Sequence, residues 1–210
     1  MSTSNKIILV VTAILFVLIV GFGIKAALQS SNQSVSVAPS TASSTLPGLQ
    51  TGNAPWIAEI DHLKERLADI GLPALAEEGT VLHIHQHLDI FIHGKSVPVA
   101  AGIGINELAG FISPIHVHDD TGIIHVESPT IQTYTLGQFF DIWGVAFSAN
   151  SIGGYTNDAS STLQVYVNGS KFNGDPRTLA LAAHQEIVIT YGTAEEQPVI
   201  PSSFDFPAGY

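Results

Sequence analysis

The stretch T-V-L-H-I-H-Q-H-L-D-I-F-I-H, residues 80–93, decides the fold because its side chains alternate with a period of two. In a β-strand successive side chains point to opposite faces. His83, His85, His87, Asp89 and His93 therefore share one face, and Leu82, Ile84, Leu88, Ile90 and Ile92 share the other. The aliphatic face belongs to a core, and the reverse face presents imidazoles.

Two later segments repeat the scheme. In I-H-V-H (115–118), Ile115 and Val117 oppose His116 and His118; in I-I-H-V-E (123–127), Ile124 and Val126 oppose His125 and Glu127. Asp119-Asp120-Thr121-Gly122 between them carries turn chemistry, so 112–118 and 123–127 are expected to form a hairpin. With a four-residue loop His116 lies opposite His125, and His116, His118, His125 and Glu127 come to one face. A three- or five-residue loop without a bulge turns His125 away. Val97 to Ile105 reads as a further strand, as do Leu163 to Val167 and Glu186 to Tyr191, with Asn168-Gly169 as a turn signal between the last two.

Two helices flank these strands. Trp56, Ile57, Ile60, Leu63, Leu67 and Ile70 recur at helical spacing, with Gly71 and Pro73 as stop signals. Thr135 is the expected N-cap of a short helix through Trp143, with Leu136, Phe139, Phe140 and Trp143 facing inward. The fold class is α+β: a mixed or mainly antiparallel sheet with one or two short helices.

Upstream, the chain changes character. Residues 7–24 form an uncharged apolar run of 18 residues between Lys6 and Lys25, at the short end of what spans a bilayer. Its length favours a retained signal anchor, residues 1–28, over a cleaved signal peptide. Lys6 in the short N-terminal tail places the anchor's start in the cytoplasm and the rest outside, as a single-pass protein of the cytoplasmic membrane. Residues 29–55 are rich in Ser, Thr, Ala, Asn and Pro and read as a flexible, disordered tether. The histidine-rich domain then spans 56–198, followed by an irregular tail, 199–210.

Composition removes whole classes of function. Cysteine is absent and the single methionine is the first residue, which excludes disulfides, thiolate zinc sites, iron–sulfur clusters and methionine-rich copper sites. Beyond residue 25, five basic residues (Lys64, Arg66, Lys95, Lys171 and Arg177) stand against all 18 Asp and Glu. Such a surface repels phosphate backbones, so nucleic acid is not an expected partner.

Seven of the nine histidines lie between His83 and His125. A lone histidine is usually a surface or structural residue, and His62 and His184 are read that way. H-x-H-x-H, H-x-H and H-x-E in one phase are hard to attribute to a solvated face, which normally carries Thr, Lys, Glu and Ser. Opposed residues in a sheet have Cβ atoms about 4.5–5.5 Å apart, close enough for imidazoles to share an ion. The candidate metal ligands are His83, His85, His87, His116, His118, His125 and Glu127. Asp89, His93, Asp119 and Asp120 are candidates for orienting the rings. Imidazole with carboxylate suits a divalent transition metal, Zn(II) or Cu(II) foremost, with Fe(II), Mn(II) and Ni(II) also compatible. These donors exceed what one tetrahedral ion needs, so either two ions bind or some residues hold others in place. A pH-sensing histidine cluster is the residual alternative.

The run from His83 to Glu127 resembles the α-carbonic anhydrases in setting an H-x-H strand beside a strand with His and Glu, although their order is E-x-H and here it is H-x-E. P-I-H-V-H-D (114–119) is similar to the copper-ligand strand of the Cu/Zn superoxide dismutases, without that family's cysteines. A broader resemblance covers 83–94, 97–105, 115–129 and 134–144 (H-I-H-Q-H-L-D-I-F-I-H-G, V-P-V-A-A-G-I-G-I, I-H-V-H-D-D-T-G-I-I-H-V-E-S-P and Y-T-L-G-Q-F-F-D-I-W-G). It is to an uncharacterised group of membrane-anchored prokaryotic proteins. That likeness implies that the three histidine motifs act as one unit.

The sequence thus points to a membrane-anchored, extracytoplasmic metal-binding protein that stores, delivers or senses a metal. A His-liganded metalloenzyme (hydrolase, carbonic-anhydrase-like or oxidoreductase) and a structural or adhesion module stapled by a metal are the alternatives. No protein partner is indicated.

Overall fold

The computed structural model describes residues 46–210. The expected anchor and the tether up to residue 45 lie outside the described residues. Among the described residues no helix is long and apolar enough to cross a membrane.

Among the described residues there are twelve strands and two α-helices, each helix preceding a run of six strands. After α1 (Leu63–Asp69) come β1 (Leu82–Ile92), β2 (Lys95–Val97), β3 (Ile105–Asn106), β4 (Phe111–Ile112), β5 (Ile115–His116) and β6 (Ile123–Ser128). Helix α2 (Leu136–Trp143) is followed by β7 (Phe147–Ser148), β8 (Ser151–Ile152), β9 (Tyr155–Thr156), β10 (Thr162–Val167), β11 (Ser170–Lys171) and β12 (Glu186–Gly192). The main sheet runs β11-β10-β12-β1-β6-β5, with β2 also on β1. β1 and β12 are parallel and the other pairs antiparallel, so the sheet is mixed and the domain is α+β.

β1 is the organising strand. Its first half pairs with β6 (His85 opposite His125), and its second half with β12 (His87 opposite Glu186) and β2. The aliphatic face predicted from the alternation is the core face: Leu88, Ile90, Ile115, Val117, Ile124 and Val126 are buried together with Leu136, Phe139, Phe140 and Trp143. Burying side chains of this size stabilises by about 1.5–3 kcal/mol each.

Helix α2 forms where the sequence places it. The Thr135 hydroxyl accepts from Gln138 N and the Gln138 side chain accepts from Thr135 N, a reciprocal capping box. Gly144 ends the helix at φ 75°, and a Cβ there would lie 3.0 Å from the buried Arg66 guanidinium. That guanidinium donates to Ile142 O at 3.0 Å and to Pro47 O at 3.1 Å and pairs with Glu59, joining α1, α2 and the entry segment.

Four expectations change. The helix expected over 56–70 shrinks to Leu63–Asp69. The backbone of Ile57 is committed elsewhere: its N–H donates to Gln50 Oε1 and its carbonyl accepts from Gln50 Nε2 and Trp143 Nε1. Residues 46–55, read as tether, pack on the domain. Leu46 is buried, and Gln50 exchanges backbone hydrogen bonds with Gly144 and Ala146; a polar composition does not disclose such pairing. The strand or extended segment expected over 97–105 gives way to turns: β2 ends at Val97 and β3 begins only at Ile105. Asn168-Gly169 does turn the chain, both at positive φ, but into β11 rather than directly into β12. The tail 199–210 carries no helix or strand.

Candidate metal centre

The histidine face of β1, β5 and β6 is assembled by register. Antiparallel pairing sets His85 opposite His125, and His125 opposite His116, as the four-residue loop requires. Ring centroids of His125 lie 4.6 Å from His85, 5.2 Å from His116 and 4.6 Å from His118. His85, His116, His125 and Glu127 are buried, whereas the side chains of His83 and His118 remain 52% and 43% exposed at the rim. Solvent therefore reaches the rim rings but not the inner ones.

The donor atoms converge in pairs. His83 Nε2 and His85 Nε2 are 3.1 Å apart, and His116 Nε2 and His118 Nε2 are 3.2 Å apart. Glu127 Oε1 sits 3.1 Å from His125 Nδ1 and 3.2 Å from His83 Nε2. Two nitrogens on one tetrahedral ion, each about 2.0–2.1 Å from it, are about 3.3 Å apart. The observed separations fit chelation. Two groups form, His116–His118–His125–Glu127 and His83–His85–Glu127, each with one donor atom per residue, all within 4.8 Å of one another. Glu127 belongs to both.

The surroundings fix ring orientation. The Nδ1–H of His116 donates to Ser113 O at 3.0 Å, which leaves the Nε2 lone pair for an ion, the usual arrangement at metal-bound histidines. Burial holds His116 down to about 4, with repulsion from His118 adding to it. Burial and the neighbouring rings hold His125 down to about 3, and burial also lowers His85. Neutral imidazoles are the ligand form. Glu127 is pushed up to about 7 by burial and by the carboxylate of Glu78. In metal-free protein the buried Glu127 and the exposed Glu78 thus repel each other, and a bound cation would relieve that repulsion.

The other candidates separate. His87 leaves the cluster and faces Glu186 and the hairpin loop, and Asp89 joins it there. His93 is at the far end of β1, paired with Glu196 at 2.9 Å and packed on Tyr191. It does not reach the rings of the cluster, because the strand carries it past the end of β6. Asp119 accepts from the N–H and hydroxyl of Thr121 within the loop, so it shapes the turn instead of orienting a ring. Asp120 is exposed in that loop. His62 pairs with Glu59, and His184 bonds Tyr210 O at 3.0 Å; both are structural, as read.

Sequence reasoning missed Glu78, 3.5 Å from His118 Nε2, and Glu186, fully buried at the start of β12. It also missed the aromatic cover. Phe204 stacks on His87 at 3.8 Å, and Tyr210 packs on His85 at 4.6 Å and on His125 at 5.5 Å. A charged residue opening an otherwise apolar strand, Q-E-I-V-I-T (185–190), was the one available signal for Glu186. In comparisons with known proteins, no family model, curated protein or solved structure matches the chain.

Proposed function

We propose that the protein binds a divalent transition metal through His85, His116, His118, His125, His83 and Glu127, and that it stores or delivers this metal outside the cytoplasmic membrane, held there by its N-terminal segment. The observation that carries the reading is the pairwise convergence of imidazole nitrogens at 3.1–3.2 Å, on a face where burial keeps the inner rings neutral. An all-imidazole and carboxylate donor set favours Zn(II) or Cu(II). The half-exposed rim of His83 and His118, with surplus donors, suits transfer of the ion from one partner set to another. A saturated structural site would bury all of its ligands.

A second reading is favoured by Glu127. A carboxyl group poised near neutrality beside a metal can move protons, as in metal-assisted hydrolysis or hydration.

Elemental analysis of the full chain, purified without added metal, tests the proposal. Stoichiometric zinc or copper is expected in the native chain, with loss in His85→Ala and His116→Ala. A native chain that carries no such metal and takes up none of Zn, Cu, Mn or Fe would sink it.

A further inference from the structure

Apart from the cluster just described, the histidine face holds a second group, built from β1, β12 and the hairpin loop. Parallel pairing sets His87 beside Glu186, and Asp89 lies two residues further along the same face. Donor atoms of His87, Asp89 and Glu186 all lie within 4.8 Å of one another.

The protonation pattern there is fixed by the backbone. The His87 Nε2–H donates to Thr121 O at 2.9 Å. Gly122 permits that approach: its φ is +84°, and a Cβ would lie 2.7 Å from Leu88 O and 3.0 Å from His87 Nε2. With the hydrogen on Nε2, Nδ1 of a neutral ring carries a lone pair. It faces Glu186 Oε2 at 2.8 Å, which carries lone pairs as well. Something positive must sit between or beside them.

A proton is one solution, giving an imidazolium–carboxylate pair. It leaves two features unexplained. Glu186 Oε1 is buried and without a hydrogen-bond partner, in a residue only 1% exposed. The other polar group that closes on Glu186 is the carboxylate of Asp89, itself an acceptor. An orphaned buried carboxylate oxygen is destabilising, because nothing replaces the water it gave up. A divalent cation would meet His87 Nδ1 and a carboxylate oxygen from each of Glu186 and Asp89 together. Cis donors about 2.1 Å from an octahedral ion are about 3.0 Å apart, close to the 2.8 Å between Nδ1 and Oε2.

The geometry points to a second metal site at His87, Asp89 and Glu186, which takes one divalent cation of the Mn(II) or Zn(II) class. One nitrogen with carboxylate oxygens suits Mn(II) as well as Zn(II), whereas the imidazole cluster favours Zn(II) or Cu(II). Phe204, stacked on the His87 ring, closes the site from above. The ion holds β12, β1 and the hairpin loop together, and its binding does not depend on the larger cluster.

The test is metal counting on the full chain equilibrated with Mn(II) or Zn(II), then desalted. Glu186→Gln, which keeps the shape of the side chain, is expected to lose one equivalent per chain. His116→Ala is expected to retain that equivalent while it loses metal from the cluster. An unchanged count in Glu186→Gln overturns this inference and leaves the cluster's role intact. No metal in the native chain overturns both. Should Glu186→Gln fail to fold, the imidazole ¹⁵N resonances of His87 in the native chain decide. A large Nδ1 shift on adding one equivalent of Zn(II) supports the site, and an imidazolium signature unchanged by metal refutes it.

Discussion

His116 and His125 face each other across the β5–β6 ladder, their rings 16° from parallel and their centroids 5.2 Å apart. Each ring is buried, and each is held neutral well below the ordinary histidine value of about 6.5. The proposed metal between the strands would make use of both properties. His116→Ala removes a ligand whose Nδ1–H is already anchored by Ser113. Loss of an orienting partner alone costs about 10–100-fold in affinity, so this ligand deletion is expected to weaken binding by at least about 100-fold. Competition against a chromophoric chelator measures it.

Acid should destabilise the metal-free protein. Unfolded histidines take up protons below about 6.5, while His116 and His125 in the fold do so only near 4 and 3. Each therefore stabilises the fold fully above pH 6.5 and loses that contribution as pH falls, by about 1.4 kcal/mol per pH unit. Glu127 works in the other direction. Its folded value near 7 lies above the 4.5 of the free group, so its contribution is present below pH 4.5 and lost as pH rises through 7. Urea denaturation in chelator at pH 7 and pH 5 should show a lower midpoint at pH 5, with a steeper drop in Glu127→Gln. Equal midpoints in the native chain would contradict the assignment.

Metal removal should lower thermal stability. An ion that binds only the folded chain adds about 2.7 kcal/mol at a free concentration 100 times its dissociation constant. Thermal denaturation with and without chelator is expected to differ, and the difference should shrink in His125→Ala.

The aromatic cover should govern how fast metal leaves rather than how much is held. Tyr210 lies on both His85 and His125. Tyr210→Ala is expected to speed chelator-driven release severalfold with unchanged stoichiometry. An identical release rate would show that the ring is merely a neighbour.

Thr135→Ala serves as the control distant from the metal. Loss of the capping box is expected to cost about 1 kcal/mol, read from urea unfolding, with metal content unchanged.

Much of this was legible in the sequence, and the residues say why. The alternation in β1 placed His83 and His85 on one face because a strand's period is fixed by covalent geometry. The register of His116 against His125 followed from the length of one loop. Glu78 was invisible because the irregular segment just before β1 carries no period that says where its side chain turns, and Glu186 because it arrives from β12, far along the chain and parallel to β1. His87 shares its phase with His85, yet the parallel neighbour β12 supplies Glu186 only from that position onward, so one stripe divides into two environments. The segment around Trp56 failed as a helix because Gln50 and Trp143 claim the Ile57 backbone, and helical periodicity does not register such competition.

β1 lies between paired neighbours at the centre of the sheet, and the histidine cluster that it organises has unequal parts. His85, His116 and His125 are buried, and Ser113 fixes the His116 ring, whereas His83 and His118 stand half-exposed at the rim. Groups with few buried contacts move at low cost, and packed ones move only when the domain opens. On the proposed reading the three inner rings would act as a fixed anvil and the two rim rings as jaws. An ion departing through the jaws would leave the anvil preformed, ready for the next arrival without refolding.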